Sequence, residues 1–286
     1  MARLLKGLPV AQAMGERLAV RVEALAKQGI IPTLAIIRVG ERSDDLAYER
    51  GACKRCGALG IEVRKITLAA NCAQHELMDA IMTVNADDSI HGCLMLRPLP
   101  STLDEVTACA ALDPAKDVDC ATAGSLYGVF AGEPVGFPPC TAEACMELIE
   151  HYGYDLEGAD VCVVGRSLVI GRPVSMMLQA RNATVTMCHT RTRDLLAKCR
   201  AADVLVVAAG HIGTVGGDAV RPGQVVVDVG INWDAEEKRL VGDVDFEAVR
   251  DVVDAVTPVP GGVGSVTTAV LAKHVVEAAE SYLARR

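Results

Sequence analysis

The sequence predicts an α/β protein with two successive series of parallel strands and helices. Runs rich in valine, isoleucine and leucine, several ending in glycine, alternate with amphipathic segments along most of the 286 residues. Strands that alternate with helices form parallel sheets covered by helices on both faces. A stretch rich in glycine and proline, 130–140, separates the two series, and the chain is long enough for two domains.

The first series is predicted to contain three strands joined by helices. We expect a helix from Tyr48 to Leu59, closed by Gly60, and an amphipathic helix over 72–87. The three strands are PTLAIIRVG (32–40), IEVRKITL (61–68) and IHGCLMLRPLP (90–100).

The second series is predicted to contain four strands, preceded by a helix over 142–152 that Thr141 caps. A last helix over 267–286 follows the loop TPVPGGVGS, and it could pack on either series. The four strands are ADVCVVG (159–165), ATVTMCH (183–189), ADVLVVAAG (202–210) and QVVVDVG (224–230).

Composition excludes several classes of protein. The net charge of −9 gives no support to binding of nucleic acid or a membrane surface, and no apolar run reaches the length of a membrane span. The start of the chain is interpreted as a first helix and not a signal peptide. The odd number of cysteines, 11, fits free buried thiols in the reducing cytoplasm. Cys53 and Cys56 form a Cys-x-x-Cys pair, but without a second pair we expect neither a metal site nor a redox role.

The stretch VCVVGRSLVIGRPV (161–174) is the strongest indication of a ligand site. A buried strand ends at Gly165, and Gly171 and Pro173 open the next helix. Backbone N–H groups and the helix dipole of such a turn face an anion, as in dinucleotide-binding units. We therefore assign Gly165, Arg166, Ser167, Gly171 and Pro173 to cofactor binding. The usual Gly-x-Gly-x-x-Gly spacing is absent, and the alternative is an ordinary strand–helix connection.

The next strand end favours NADP over NAD. An NAD site commonly has an acidic residue about twenty residues beyond the glycine turn. MCHTRTRD offers Thr190, Arg191 and Arg193 before its first acid, Asp194. Cations suit a 2′-phosphate, so Thr190 and Arg191 are assigned to the cofactor; the alternative is a solvated arginine pair.

Two further loops are predicted at the same edge of the sheet. AAGHIG (208–213) and DVGIN (228–232) could hold the nicotinamide and its ribose, which assigns Ala209, Gly210, Gly230 and Ile231 to the cofactor. His211 is expected to be a loop hydrogen-bonding residue and not a catalytic base.

The motifs together resemble the FolD-type methylenetetrahydrofolate dehydrogenase/cyclohydrolase family. The matching stretches run nearly from end to end of the chain. They are RPLP, KDVD, VVGRSLVIGRPV, ATVTMCHTRT, ADVLVVAAG, RPGQVVVDVGIN, GDVDF and TPVPGGVG.

The resemblance implies two α/β domains flanking a cleft, the second a Rossmann-like doubly wound parallel sheet, in a homodimer. Residues 1–141 with 267–286 would form the folate-binding catalytic domain, and residues 142–266 the NAD(P)-binding domain. Of the two aspartates in KDVD, either could cap a helix, and the resemblance assigns Asp119 to the pterin. It implies Tyr48 and Asp119 as catalytic residues, and as substrate-binding residues Tyr48, Leu96, Asp119, Pro258, Pro260, Gly261 and Gly262.

The chain departs from the family at three places. Members carry Tyr-x-x-x-Lys on the first-domain helix, and counting from Tyr48 puts Ala52 at the lysine position. Leu96 occupies the position of a glutamine, and the neighbouring Arg97 is expected to face the other way. Ser265 and Val266 stand where the family has Pro-Met.

Other charged residues near Tyr48 offer little compensation. Lys54 matches a different, non-catalytic lysine of the family. Arg55 lies seven residues after Tyr48, on the same helix face, but arginine stays protonated and is a poor base. Glu49 and Arg50 are expected to face solvent.

These departures predict separate fates for two reactions. Hydride transfer from 5,10-methylene-tetrahydrofolate to NADP depends chiefly on positioning and removes no proton. Hydrolysis of the methenyl product needs proton transfers. We therefore expect a dehydrogenase with lost or weak cyclohydrolase activity. The alternatives are a bifunctional enzyme that makes 10-formyl-tetrahydrofolate, and a non-catalytic folate or nucleotide binding protein.

Overall fold

The computed structural model describes residues 1–285, and Arg286, the end of the predicted last helix, lies outside them. The chain divides into two compact units. The central unit contains residues 1–12 and 141–267, and the amino-terminal unit contains residues 13–140 and the chain from residue 268 onward. The sequence predicts residues 1–12 in one domain with residues 13–141. In the structure they belong to the central unit, because Arg3–Leu4 is a strand of its sheet.

The strands and helices alternate along the chain as predicted. The strands are β1 Arg3–Leu4, β2 Thr33–Val39, β3 Glu62–Leu68, β4 Gly92–Met95, β5 Asp160–Val164, β6 Thr184–Cys188, β7 Val204–Val207, β8 Val225–Asp228, β9 Asn232–Asp234, β10 Arg239–Val241 and β11 Ala255–Val256. The helices are α1 Gly7–Lys27, α2 Ser43–Ala58, α3 Gln74–Ala86, α4 Glu105–Ala111, α5 Ala123–Ala131, α6 Cys140–His151, α7 Gly171–Gln179, α8 Leu195–Ala201, α9 Phe246–Val249 and α10 Thr267–Arg285.

The amino-terminal unit is built on a parallel sheet of three strands in the order β3–β2–β4. All seven residues of the central strand β2 are buried, as expected for a strand covered on both faces. Apolar residues of α3, including Leu77, Ile81 and Val84, pack in the same core cluster as Ile37 of β2.

Two helix starts differ from the predictions. Helix α2 begins at Ser43 and not at Tyr48, so Tyr48 lies in its second turn. Asp44 and Asp45 in the first turn favour this earlier start, because carboxylates stabilise the positive end of a helix dipole. Helix α6 begins at Cys140, so Thr141 is inside the helix and does not cap it. The Cys140 N–H donates instead to the side chain of Asp119, at 3.0 Å.

The central unit is built on a parallel sheet of six strands in the order β1–β11–β8–β7–β5–β6. The chain passes from β5 to β6 on one side and then places β7 on the other side of β5. Ligands of such sheets bind at the carboxyl ends of the strands where the order reverses. A separate antiparallel hairpin pairs β9 with β10. Within residues 1–285, no helix combines the length and the apolar character needed to cross a membrane.

Candidate functional site

The predicted anion-binding turn lies at the carboxyl end of β5, next to the reversal in strand order. Gly165 has φ of +141°, and a β-carbon there would lie 2.2 Å from the carbonyl oxygen of Ala208. A β-carbon on Gly171 would lie 2.3 Å from the carbonyl oxygen of Gly165. Both positions therefore require glycine, and the six-residue spacing is what this tight turn needs.

The rest of the turn is open to a ligand. The Ser167 hydroxyl accepts a hydrogen bond from Ile170 N at 3.1 Å, and Arg166 and Ser167 are exposed. Pro173 is buried in the first turn of α7, where its missing N–H leaves no donor unpaired. The structure thus brings all five predicted turn residues together in front of a helix amino terminus.

The loop after β6 presents two arginines. Its backbone is held by Thr192, whose hydroxyl accepts from His189 N at 2.8 Å, and by the His189 ring, which accepts from Arg191 N at 3.0 Å. Arg191 and Arg193 are exposed, and residues 1–285 provide no ion pair for either of them. Their charges remain available to an anion, and the assignment of Arg191 to a 2′-phosphate stays a prediction.

The loops after β7 and β8 are tied together by Asp243, which is fully buried. Its carboxylate accepts from Ala209 N at 2.6 Å, from Gly210 N at 2.8 Å and from the Asn232 amide at 2.8 Å. Asp243 is not among the residues predicted from the sequence, although it lies in the matched stretch GDVDF. Its role depends on a contact between residues more than thirty positions apart, which no local pattern shows.

A second buried carboxylate, Asp228, holds the same loops from the end of β8. It accepts hydrogen bonds from the backbone N–H groups of Gly230, Asp243 and Val244, each at 3.0 Å. Burial raises the pKa of Asp228 to about 6, although these three hydrogen bonds favour the charged form. The two aspartates therefore fix the backbone of the loops predicted to face the nicotinamide.

A cavity of about 240 Å³ in the central unit joins two predicted groups of residues. Its walls come from the loop after β8 and from the loop 258–265. Predicted residues around it are Gly230, Ile231, Pro258, Pro260, Gly261 and Gly262. His211, in contrast, is exposed, and its ring nitrogen contacts the carbonyl oxygen of Ile212 at 2.9 Å, which fits the expected loop role.

In the amino-terminal unit, the structure brings Tyr48 and Asp119 together. Both side chains are partly buried. Burial raises the pKa of Tyr48 well above its ordinary value, and the charge of Asp119 raises it further. Burial also raises the pKa of Asp119, against the hydrogen bond from Cys140 and the positive charges of Arg97 and His274.

Two of the positions that depart from the family, Ala52 and Leu96, are buried. Ala52 is 0% exposed, one turn along α2 from Tyr48. Leu96 is 6% exposed, and its N–H donates to the carbonyl of Ile37 at 3.0 Å, so its backbone extends β4. Arg97 lies 4.0 Å from Glu105, yet its charge still acts on Asp119. The roles of Tyr48, Leu96 and Asp119 towards a substrate remain predictions.

Glu49 does not face solvent, contrary to the expectation. It is 5% exposed and bonds Arg38 at 2.8 Å and Lys65 at 2.8 Å. Arg38 and Lys65 belong to β2 and β3, so Glu49 fastens α2 to the sheet beside Tyr48. Arg50 is exposed, as expected.

The two aspartates of KDVD have different structural roles. Asp117 is fully buried and accepts from Ala121 N, Thr122 N and the Ser125 hydroxyl, so it holds the backbone that leads into α5, whose N-cap is Thr122. That leaves Asp119 as the aspartate that accompanies Tyr48.

A Cys–His contact that is not predicted from the sequence lies beside this pair. The sulfur of Cys140 lies 3.8 Å from Nδ1 of His274, and the same nitrogen lies 2.8 Å from the carbonyl oxygen of Val118. The Phe137 ring packs against the His274 ring at 5.1 Å between centroids. The two residues are 134 positions apart, and no sequence pattern connects them.

Two family models match the chain. The tetrahydrofolate dehydrogenase/cyclohydrolase catalytic domain matches residues 5–119, and the NAD(P)-binding domain of the same family matches residues 139–283. The chain is 49% identical over 276 residues to the bifunctional protein FolD of Clostridioides difficile, covering 96% of each chain. It is 49% identical over 281 residues to the bifunctional protein FolD of Carboxydothermus hydrogenoformans, covering 98% of each.

Solved structures agree with this match. The bifunctional FolD methylenetetrahydrofolate dehydrogenase/cyclohydrolase of Campylobacter jejuni superimposes with a TM-score of 0.95 at 38% identity, covering 98% of this chain and 99% of that one. The Trypanosoma brucei enzyme, solved with NADP cofactor and inhibitor, has a TM-score of 0.92 at 34% identity, covering 99% of this chain and 98% of that one. The chain belongs to the tetrahydrofolate dehydrogenase/cyclohydrolase family.

Proposed function

We propose that the chain oxidises 5,10-methylene-tetrahydrofolate to 5,10-methenyl-tetrahydrofolate with NADP, and that its cyclohydrolase activity is lost or weak. The observation that carries the second part is Ala52, a fully buried alanine one turn from Tyr48, where the family has a lysine. The proposed cofactor and substrate regions lie in the two units described above, and each is considered by itself.

The central unit fits a nucleotide with a 2′-phosphate. The tight turn between Gly165 and Gly171 presents backbone N–H groups to the pyrophosphate. Arg191 and Arg193 are exposed and unpaired within the described chain, as a 2′-phosphate site requires. Bound NADP supplies the hydride acceptor. Asp228 and Asp243 hold the loops around the 240 Å³ cavity in one backbone conformation, which orients the nicotinamide end of the ligand.

The amino-terminal unit supplies a polar pair for the folate. Asp119 holds a carboxylate at the site expected for the pterin, and the Tyr48 hydroxyl stays protonated because its pKa is raised. A protonated hydroxyl can donate a hydrogen bond to the substrate and hold it in place. Oxidation of the methylene bridge leaves a cation delocalised over two nitrogens, so this step needs positioning and no base.

Hydrolysis of the methenyl product makes the opposite demand. Water must lose a proton as it adds, and the ring must then open. Loss of general acid–base assistance typically lowers a rate by ~10²–10⁴-fold. Ala52 has no ionisable group, and the arginines near the pair stay protonated. The residues of this unit are therefore better suited to hydride transfer than to hydrolysis.

A bifunctional enzyme is the second candidate, and one observation favours it. Asp119 has a raised pKa and is acted on by the positive charge of Arg97. It could therefore take a proton from water and then release that proton to solvent. The relatives at 49% identity are themselves named as bifunctional proteins. We further propose, from the family, a homodimer in the cytoplasm; the 11 free cysteines support a reducing compartment.

The test follows both products of one reaction mixture. Purified protein is given methylene-tetrahydrofolate and NADP⁺, and methenyl-tetrahydrofolate and reduced cofactor are recorded together. We expect both to rise in step and the methenyl product to decay at its rate in buffer. Reduced cofactor without methenyl accumulation would establish the bifunctional reading, and no cofactor reduction would refute both.

A matched pair of variants tests the alanine. Ala52→Lys should raise methenyl hydrolysis above the wild-type rate, because it returns an ionisable amine next to Tyr48. Ala52→Met adds a chain of similar length without the amine, and it should leave hydrolysis unchanged. Equal effects from both variants would show that side-chain volume, and not proton transfer, controls this step.

A further inference from the structure

The helix that carries Tyr48 also carries two thiols of unequal exposure. Cys56 is 0% exposed, whereas Cys53 is partly exposed. Within residues 1–285, all 11 cysteines are free. Nine of them are buried, and Cys53 and Cys109 are partly exposed. Cys53 is thus one of two thiols that a small reagent can reach, and it has a second thiol close behind it.

The helix brings the two cysteines close to disulfide distance. Residues three apart on an α-helix have Cα atoms about 5 Å apart, which lies in the range that disulfides span. Their Cβ atoms are about 5–6 Å apart, whereas a disulfide needs about 3.5–4.5 Å. Closing the bond therefore requires a movement of about 1–2 Å. Cys56 lies in the last turn of α2, next to Gly57, and the end of a helix adjusts more readily than its interior.

The surroundings give the two sulfurs different chemical roles. The Lys65 ammonium bonds Glu49 at 2.8 Å and lies near Cys53, which is one of the groups that raise the pKa of Lys65. Cys53 is the more exposed of the two thiols, so a reagent reaches it first. Burial raises the pKa of Cys56 to about 12, and a charge on Cys53 raises it further, so the two groups are near each other. Cys53 is suited to attack first, and Cys56 to resolve the mixed disulfide as it moves out of the core.

Cys56 is coupled to the proposed active site through the helix. Tyr48, Ala52 and Cys56 are spaced four apart, so they form one stripe along α2. Cys56 is close enough to be one of the groups that raise the pKa of Tyr48. Pulling Cys56 towards Cys53 rotates the end of this stripe. A displacement of about 1 Å at a positioning group can cost about 10²-fold in rate.

We propose that Cys53 and Cys56 form a thiol-modification site, in which a small-molecule disulfide converts the pair to an intrahelical disulfide that displaces Tyr48 and slows hydride transfer. The Cys53 thiolate attacks one sulfur of the reagent, forming a mixed disulfide and releasing one reagent thiolate. Cys56 then loses its proton to solvent and attacks Cys53, releasing the second reagent thiolate. The two cysteines lose two electrons, and the reagent gains them.

The site itself is tested by peptide mapping, independently of any activity. Reduced protein is treated with bis(2-hydroxyethyl) disulfide, the remaining thiols are alkylated, and the protein is digested with trypsin. Lys54 and Arg55 lie between the two cysteines, so peptides 51–54 and 56–64 stay joined only if the disulfide has formed. We expect the joined peptide from wild type and from Cys109→Ser, and its loss on reduction with dithiothreitol.

Two results would overturn the site. One is a wild-type digest without the joined peptide. The other is a joined peptide that forms only in protein whose circular dichroism shows unfolding. Cys53→Ser removes only the partly exposed thiol and should fold as wild type, so it serves as the negative control. Cys109→Ser removes the other partly exposed thiol and controls for general oxidation.

The effect on rate rests on the proposed function, and it is measured separately. NADP⁺ reduction with methylene-tetrahydrofolate is first established for the reduced enzyme. Oxidation should then lower kcat roughly 10- to 100-fold in wild type and in Cys109→Ser, but not in Cys53→Ser. A joined peptide with an unchanged rate would refute the coupling to Tyr48. An inactive reduced enzyme would refute the proposed function and leave the peptide result standing.

Discussion

Replacing Glu49 by glutamine tests whether this side chain faces solvent, as the sequence predicted, or is buried, as the structure shows. Glu49 lies between Arg38 and Lys65, at 2.8 Å from each, and it is 5% exposed. Glutamine keeps the shape but removes the charge. Arg38, which is 7% exposed, is then left as a buried guanidinium without its counter-ion.

The expected cost follows from that burial. Removing one partner of a buried ion pair costs about 3–5 kcal/mol, whereas an exposed pair contributes about 0–1 kcal/mol. We therefore expect the Glu49→Gln change to lower the free energy of unfolding by about 3 kcal/mol or more. Tyr48 is the neighbouring residue on α2, so we also expect kcat for hydride transfer to fall.

The pH dependence has a definite sign. Burial raises the pKa of Glu49, but the hydrogen bonds from Lys65 and Arg38 outweigh it and leave the pKa below its usual value of 4.5. The folded state therefore gains stability from this carboxylate above about pH 4.5, and loses it as the pH falls through the lowered pKa. The difference between wild type and Glu49→Gln should shrink in that acid range.

The difference in free energy of unfolding is measured by urea unfolding of both proteins at pH 7 and at pH 4. Far-ultraviolet circular dichroism monitors the unfolding. Glu23→Gln is the matched control, because Glu23 pairs with Lys27 at 2.7 Å on an exposed surface. This change should leave the free energy of unfolding nearly unchanged, because an exposed ion pair contributes little to stability. The reasoning fails if Glu49→Gln costs no more than this control.

Three further predictions concern the central unit. Gly165→Ala should weaken NADP binding at least tenfold by calorimetry, since strained backbone costs about 1–3 kcal/mol and its β-carbon would meet the Ala208 carbonyl. Gly158→Ala, with φ of +74° but no atom within 4 Å, should leave binding intact. The double variant Arg191→Ala, Arg193→Ala should raise KM for NADP roughly 10- to 100-fold without changing KM for NAD. An equal rise in KM for the two cofactors would refute the 2′-phosphate role. The exposed Lys198→Ala is its control. The pKa of Asp228 is raised from 3.8 to about 6, so this group's contribution to stability falls by roughly 3 kcal/mol in all as the pH rises from well below 3.8 to well above 6. Asp228→Asn should remove that slope from urea unfolding curves, and an unchanged slope would contradict the raised pKa.

Much of the fold followed from local patterns. Buried strands of valine and isoleucine ending in glycine predicted the parallel sheets, because a strand covered on both faces has no polar side. The glycine turn after β5 could also be predicted, because its chemistry lies in consecutive backbone N–H groups. Such features depend only on residues that are neighbours in the chain, so a single sequence is enough to predict them.

The errors concern contacts between distant residues. Residues 1–12 joined the central unit because Arg3 pairs with Ala255, and Glu49 was buried because β2 and β3 supply its partners. Helix α6 began at Cys140 because its amide meets Asp119, and not because of a local cap. Whether a charged side chain is buried depends on the elements packed against it, which periodicity within one helix does not reveal.

The sequence by itself determined the sheet class and the glycine turn after β5, and it predicted the loss of the family lysine at Ala52. The tertiary structure decided how these residues are held: Asp228 and Asp243 in the core of the central unit, and Glu49 and the two thiols of α2 around Tyr48. The physical reason is that a motif specifies which groups are present. Their burial, pKa and partners arise only when segments far apart in the chain exclude water from the same place.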